Sequence, residues 1–365
     1  MTSSQPSALP EQPVAAVSRP PWVVDTFRGL AILEVVAHHA TGLGLRYLDA
    51  GSALHTALLV ANRLLHFAVP AFLFMAALLL TRSLLRAPDW RRYWQRRATR
   101  GAWPYFLWSG LYMLWYVVLG QRPQETLSDP QKVQFYLLYG KASYHLYFLL
   151  VAVQAYVLIP LLLPLARARL SLWTAMGVGV ILQLAVYFLN FSVLKWTYPG
   201  SVVLWYTLPL VLGAAVAARS EEFPAWFRRY RWWLTALLLL AAGAYLPLAT
   251  AAMQGQPVSN LAYNLSTWLF TSLCTLVIYG VCLAWKERAV QLRNLVAWFG
   301  LVSLQVYLLH PALLQLAELW WPPAGNGWQR TSAALLSGYL ALVISALLGH
   351  LLLRSAPLSR FLFGR

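Results

Sequence analysis

Residues 25–39 read DTFRGLAILEVVAHH, an apolar helical stretch into which five ionisable side chains are set: Asp25, Arg28, Glu34, His38 and His39. Such groups are costly in hydrocarbon, so a membrane helix that carries them turns them toward a partner or a cavity. At about 100° per residue, the steps from Arg28 to His39 leave the two side chains about 20° apart on one face, with a helical rise of about 16 Å between them. Asp25 shares this stripe. Glu34 and His38 lie about 100° round from it and, four residues apart, can neutralise one another. One end of the stripe suits an anion and the other suits acid–base chemistry.

The rest of the chain supports the membrane reading. Of 365 residues, 60% are hydrophobic and 11% charged, and the mean hydropathy is +0.58. A soluble domain needs about a quarter of its residues charged to cover its surface, so lipid must cover this one. At about 20 apolar residues per crossing, the composition supplies on the order of ten helices. Apolar runs predict them at residues 25–45, 57–84, 101–120, 143–163, 171–193, 199–218, 232–250, 260–285, 294–320 and 331–353. The expected fold class is all-α, a multi-pass protein of the inner (plasma) membrane with the lipid bilayer as its surroundings. Prolines 70, 209 and 247 fall inside spans, where neighbouring helices can satisfy the freed carbonyls.

The net charge of +17 would point to nucleic acid in a soluble chain. Here it reads as orientation. With the N-terminus inside, 21 of the 28 basic residues fall on the cytoplasmic side, among them Arg91, Arg92, Arg96, Arg97 and Arg100, and later Lys286, Arg288 and Arg293. This bias predicts both termini in the cytoplasm and no nucleic-acid partner. Residues 1–21, polar and rich in Ser and Pro, read as a disordered cytoplasmic tail and not as a signal peptide. Residues 22–354 form the membrane domain, and 355–365 a short basic cytoplasmic tail.

Trp196, Trp232, Trp320 and Trp321 suit the interface near span ends. Cys274 and Cys282 lie too far apart along one helix for a disulfide and read as core residues.

Other polar residues are candidates for a site. Arg97 and Arg100, three apart, would share a helical face and suit phosphate, unless they are ordinary positive-inside charge. Ser303, Tyr307 and His310 in SLQVYLLHP also fall on one face and would line a polar cavity. His145 stands where it meets an extracytoplasmic acceptor or interfacial water, and His66 reads as a packing residue. The pattern holds no metal motif and no glycine-rich phosphate loop.

DTFRGLAILEVVAHH resembles the first-helix signature of the membrane acyltransferase-3 family, an Arg followed after ten residues by a His, here Arg28 and His39. HFAVPAFLFMAALLL (66–80) resembles the family's second-helix segment, RRATRGAWPYF (96–106) its R-x-x-R segment, KASYHLYFLLVAVQAYVLIPLL (141–162) its fourth helix and SLQVYLLHP (303–311) a late-helix signature. The match covers roughly residues 22–353. Many relatives carry Ser-Gly where this chain has Ala76-Ala77, which puts close helix packing there in question.

The resemblance implies an O-acyltransferase that moves an acetyl or succinyl group from cytoplasmic acyl-CoA to a hydroxyl of a cell-envelope carbohydrate. The GKASYHLYF stretch is most similar to exopolysaccharide-modifying members of the poly-N-acetylglucosamine O-succinyltransferase type. It further implies His39 as base or acyl carrier, supported by Asp25 and Glu34, with His38 in reserve. Arg28, Arg97 and Arg100 would bind CoA phosphates, and His145, Ser303, Tyr307 and His310 the acceptor. Acyl-CoA would be a donor substrate, and no permanently bound cofactor is expected. Some relatives add an extracytoplasmic hydrolase domain; this chain is expected to act alone or with a separate extracytoplasmic or polysaccharide-synthesis protein. A transporter or flippase for a lipid-linked sugar is the rival class, although neither inverted halves nor paired broken helices show in the sequence.

Overall fold

The structure, a computed structural model, describes residues 21–285 and 289–365. Residues 1–20 of the expected tail, and Lys286 and Arg288 of the charge bias, lie outside the described residues. Among the described residues the chain is helical and holds no strand. The helices are α1 (Pro21–Leu45), α2 (Ala53–Leu64), α3 (Ala68–Arg86), α4 (Trp90–Arg97), α5 (Trp103–Val118), α6 (Pro130–Tyr139), α7 (Tyr147–Leu161) and α8 (Leu163–Arg167). They continue as α9 (Leu172–Leu189), α10 (Thr207–Ala218), α11 (Phe223–Met253), α12 (Asn260–Ala284), α13 (Val290–Leu301), α14 (Ser303–Trp320), α15 (Gly327–Arg354) and α16 (Ala356–Phe363).

Among the described residues, five segments are long and apolar enough to cross a membrane: Ala53–Arg86 taken through its break, Leu172–Leu194, Phe223–Met253, Asn260–Ala284 and Gly327–Arg354. The pair α13 and α14, bent by 75°, makes a sixth. α7 and α10, with 15 and 12 residues, fall short of the length expected of a full span.

Two helices are broken, against the expectation of uninterrupted spans. Residues 65–67 separate α2 from α3, and Val302 separates α13 from α14. Pro70 and Pro209 therefore sit in the first turns of α3 and α10, where a missing N–H costs nothing. Of the three prolines expected inside spans, Pro247 alone lies in a helix interior, that of α11; α14 likewise holds Pro311. Freed backbone groups at membrane depth must find partners in the protein. Glu34 of α1 lies against the N–H groups of Phe67 and Ala68, at the start of α3.

α1 is the central helix and touches α2, α3, α12, α13, α14 and α15. Its closest neighbour is α13. A Cβ on Gly29 would stand 1.9 Å from the carbonyl oxygen of Val296, and one on Gly300 would stand 1.8 Å from that of Asp25. Backbone thus meets backbone, the small-residue packing that holds membrane helices together. α3 and α10 pack in the same way: Gly213 faces the Phe74 carbonyl oxygen, where a Cβ would come within 2.4 Å, and fully buried Ala77. Close packing at Ala76-Ala77 is retained because the glycine stands on the facing helix.

Large apolar side chains on the outer helices face outward, among them Ile181 of α9, Leu240 of α11 and Leu351 of α15, which are 67%, 70% and 56% exposed. Such a continuous apolar exterior is a lipid-facing surface. Trp320 and Trp321, at the end of α14, are exposed, as an aromatic belt requires. Cys274 and Cys282 are free thiols.

Candidate active site

α1 and α14 run in the same direction, because Arg28 meets Ser303 low on the pair and His39 meets His310 higher up. Arg28 Nη2 donates a hydrogen bond to Ser303 Oγ at 2.8 Å, and the rings of His39 and His310 are 5.2 Å apart. From Arg28 to His39 α1 rises about 16 Å, and from Ser303 to His310 α14 rises about 10 Å. The reach of the arginine side chain covers the difference. Ser303 therefore belongs with the arginines and not, as expected, with Tyr307 and His310.

Five of the seven histidines stand in a row at the centre. His66 lies 5.5 Å from His38, His38 5.6 Å from His39, His39 5.2 Å from His310 and His310 6.1 Å from His145 between ring centroids. His145, which the sequence places at the outer mouth, is instead buried between Tyr112 and Tyr307, whose rings are 4.8 and 5.1 Å away. Tyr307 donates its hydroxyl proton to the His145 carbonyl oxygen. The short helix α7 begins deep in the protein and carries the 141–146 segment down to this level.

His310 Nδ1 lies 2.7 Å from the Val306 carbonyl oxygen. A carbonyl only accepts, so Nδ1 carries a proton, and in the neutral ring Nε2 keeps a free lone pair. The same logic applies to His38, whose Nδ1 lies 3.1 Å from the Asn62 carbonyl oxygen. Asn62 returns a bond to the His38 carbonyl oxygen at 2.7 Å and a second to Thr41 Oγ1 at 2.8 Å, clamping α2 to α1. His39 Nδ1 and both ring nitrogens of His145 have no partner among the described residues. Neutral imidazoles with free lone pairs in a polar pocket are competent bases.

Two cavities meet at this row. One, of about 510 Å³, reaches from Phe72 and Pro209 past Glu34 to Lys141 and Asn264. The other, of about 680 Å³, is lined by Arg46, Arg63, Tyr116, Gln315 and Glu318. His38, His39 and Tyr144 are common to both walls. The Tyr144 ring stands 4.8 Å from that of His39.

Glu34 lines the first cavity beside His38 and His39. Its expected pairing with His38 is not formed among the described residues, since its carboxyl turns to the start of α3. Asp25, a catalytic candidate on the stripe of Arg28 and His39, lies about 21 Å of helix rise below His39, in the electrostatic field of Arg28 and Arg365.

The arginines gather at this lower end. Arg97 leans over the rings of Tyr93 and Tyr156, 5.9 and 5.2 Å from their centroids. Arg100 is exposed. The chain between them is π-helical over Ala98–Ala102, a wider turn than the α-helix on which their spacing was read. Arg28 interacts with Asp25 and Tyr156.

Sequence reasoning missed His66, Tyr144 and Arg365 as site residues. Pro70, read as a helix-start signal, would have marked the break that exposes His66. No local signal marks the other two.

Replacing Ser303 with Ala would leave Arg28 without its hydroxyl acceptor. A hydrogen bond to a charged group is worth about 1.5–3 kcal/mol, so S303A should melt at a lower temperature in detergent. It should also raise the Michaelis constant of any anionic substrate held by Arg28. An unchanged melting curve would refute the first expectation.

The fold and site define a class: a helical membrane protein with a histidine-lined polar centre and arginines gathered at one end. The chain matches the model of the acyltransferase-3 family, an acyltransferase domain, over residues 23–350, and it belongs to that family. It is a multi-pass membrane acyltransferase. No curated protein and no solved structure matches it significantly.

Proposed function

We propose that the protein is an O-acyltransferase of the inner membrane. It would take an acetyl or succinyl group from cytoplasmic acyl-CoA and place it on a hydroxyl of a cell-envelope carbohydrate, of the exopolysaccharide type. The observation that carries the reading is the position of His39. It forms a wall common to two cavities, one helix face above an arginine.

In this reading the chain crosses ten times with both termini inside, the broken and short helices counting as crossings. The arginine end then faces the cytoplasm. Arg28, Arg97 and Arg100 hold the phosphates of CoA, whose oxygens match guanidinium forks. The thioester extends up α1 to His39, and the acceptor approaches through the cavity lined by Arg46, Gln315 and Glu318. His39 takes the hydroxyl proton as the oxygen attacks the thioester carbonyl carbon. The C–S bond breaks, and the imidazolium returns the proton to the departing thiolate. His310, Tyr307 and His145 orient His39 and the acceptor. A separate polysaccharide-synthesis protein would deliver that acceptor.

Proteoliposomes supplied with labelled acyl-CoA test the transfer directly. R97A and R100A should raise the Michaelis constant for acyl-CoA several-fold, and unchanged donor dependence would return both arginines to a topological role.

The two broken helices favour a second reading, a conduction path for a lipid-linked sugar. Acyl-CoA distinguishes the two. A ligand at about 100 times its Kd stabilises the folded state by about 2.7 kcal/mol. An acyltransferase should therefore melt several degrees higher with acyl-CoA, and a transporter should not respond.

A further inference from the structure

α16 brings Arg365 toward the arginine cluster. The indole N–H groups of Trp103 and Trp108 on α5 donate to the carbonyl oxygens of Phe361 and Leu362, at 2.6 and 2.8 Å. Phe363 is fully buried and stacks on Trp108 at 6.2 Å. Gly364 then adopts a left-handed conformation, φ 67°, where a Cβ would stand 1.8 Å from the Thr99 carbonyl oxygen. The same Cβ would stand 3.1 Å from Arg100 Cα, and Arg365 follows directly in the chain.

The segment 355–365 is thus docked by three aromatic contacts and a glycine close approach, all within one turn of its end. That is more anchoring than a free basic tail needs, and it fixes where Arg365 can reach. Arg365 is exposed by accessible area, yet protein atoms crowd its guanidinium. Burial and the neighbouring charges of Arg28 and Arg100 press its pKa down to about 10. Asp25 is the one carboxylate side chain acting on it. Guanidinium groups brought together repel one another, and an anion seated between them relieves that repulsion.

We propose that Arg365, carried by α16, completes a phosphate-binding site with Arg28 and Arg100, so that the C-terminal helix is part of the donor site. The residue lies beyond the stretch that matches the family model, residues 23–350. The inference rests on the reading of acyl-CoA as donor. Arg28 is fixed on α1 and Arg100 on the π-helical turn, and Arg365 interacts with both. A phosphate seated between them receives forks from three separate elements, which sets its position as well as its affinity.

The test is equilibrium binding to the full-length protein in detergent, with CoA and with pantetheine, which lacks the phosphates. R365Q should bind CoA about tenfold more weakly than the wild type, and the two should bind pantetheine equally. F363A, which loosens α16, should show the same selective loss, while R365K should recover part of it because the charge remains but the fork is gone. Melting curves without ligand establish that the variants fold. If the wild type binds CoA and R365Q binds it equally well, or loses pantetheine to the same extent, the proposal is overturned alone. If the wild type does not bind CoA, the donor reading falls and the proposal falls with it.

Discussion

His39→Ala should lower acyl transfer by about two to four orders of magnitude, the range a positioned general base contributes, and should leave acyl-CoA binding almost unchanged. The separation of effects follows from geometry. His39 borders both cavities, while Arg28 stands about 16 Å of helix rise below it and holds Ser303. His38→Ala is the control. His38 also borders both cavities, but its Nδ1 is bonded to the Asn62 carbonyl oxygen and its own carbonyl oxygen accepts from Asn62. Its loss should therefore cost packing and a smaller part of the rate. The measurement is transfer of label from acyl-CoA in proteoliposomes, with donor binding followed in parallel. Undiminished transfer by His39→Ala would sink the assignment, and an inactive His38→Ala beside an active His39→Ala would exchange the two roles.

Gly300→Val should be the most damaging single change to the fold. The atoms nearest a Cβ at this position are the carbonyl oxygen, carbonyl carbon and Cα of Asp25, at 1.8, 2.6 and 3.0 Å. All are backbone, so no rotamer change relieves the clash and α1 and α13 must separate. Ordinary overpacking costs about 1–3 kcal/mol; here the cost should exceed that range. Prying α13 from α1 also disturbs the Val302 bend, and with it the Arg28–Ser303 hydrogen bond. Melting temperature and folded yield in detergent measure the effect. Gly110→Ala and Gly243→Ala, where a Cβ would meet nothing within 4 Å, should leave both unchanged. Equal melting of Gly300→Val and these controls would refute the claim that backbone contact holds α1 to α13.

Several parts of this architecture were legible in the sequence because they depend on local quantities. The stripe of Arg28 and His39 follows from the helical period alone, and the structure keeps both on one inward face of α1. Tyr307 and His310, three apart, likewise meet the same centre. The break before α3 was not legible, because a run such as residues 57–84 reads as continuously apolar whether or not its backbone is continuous. What permits the break is Glu34, which comes from another helix. The local winding at Arg97 and Arg100 was not legible for a related reason: periodicity assumes an α-helix, and the chain is π-helical there. His66 was assigned to packing because nothing polar stands near it in the chain, yet His38 does so in space.

The sequence by itself determined that the protein is a helical membrane protein, where its apolar runs lie and which face of α1 turns inward. Hydropathy and periodicity are properties of neighbouring residues. Only the tertiary structure decided which polar groups meet: Arg28 with Ser303, His39 with His310, and Tyr307 with the His145 carbonyl oxygen. Those pairings join residues far apart in the chain. They exist because glycines let backbones touch, and because polar groups enclosed by an apolar exterior can find partners only in one another.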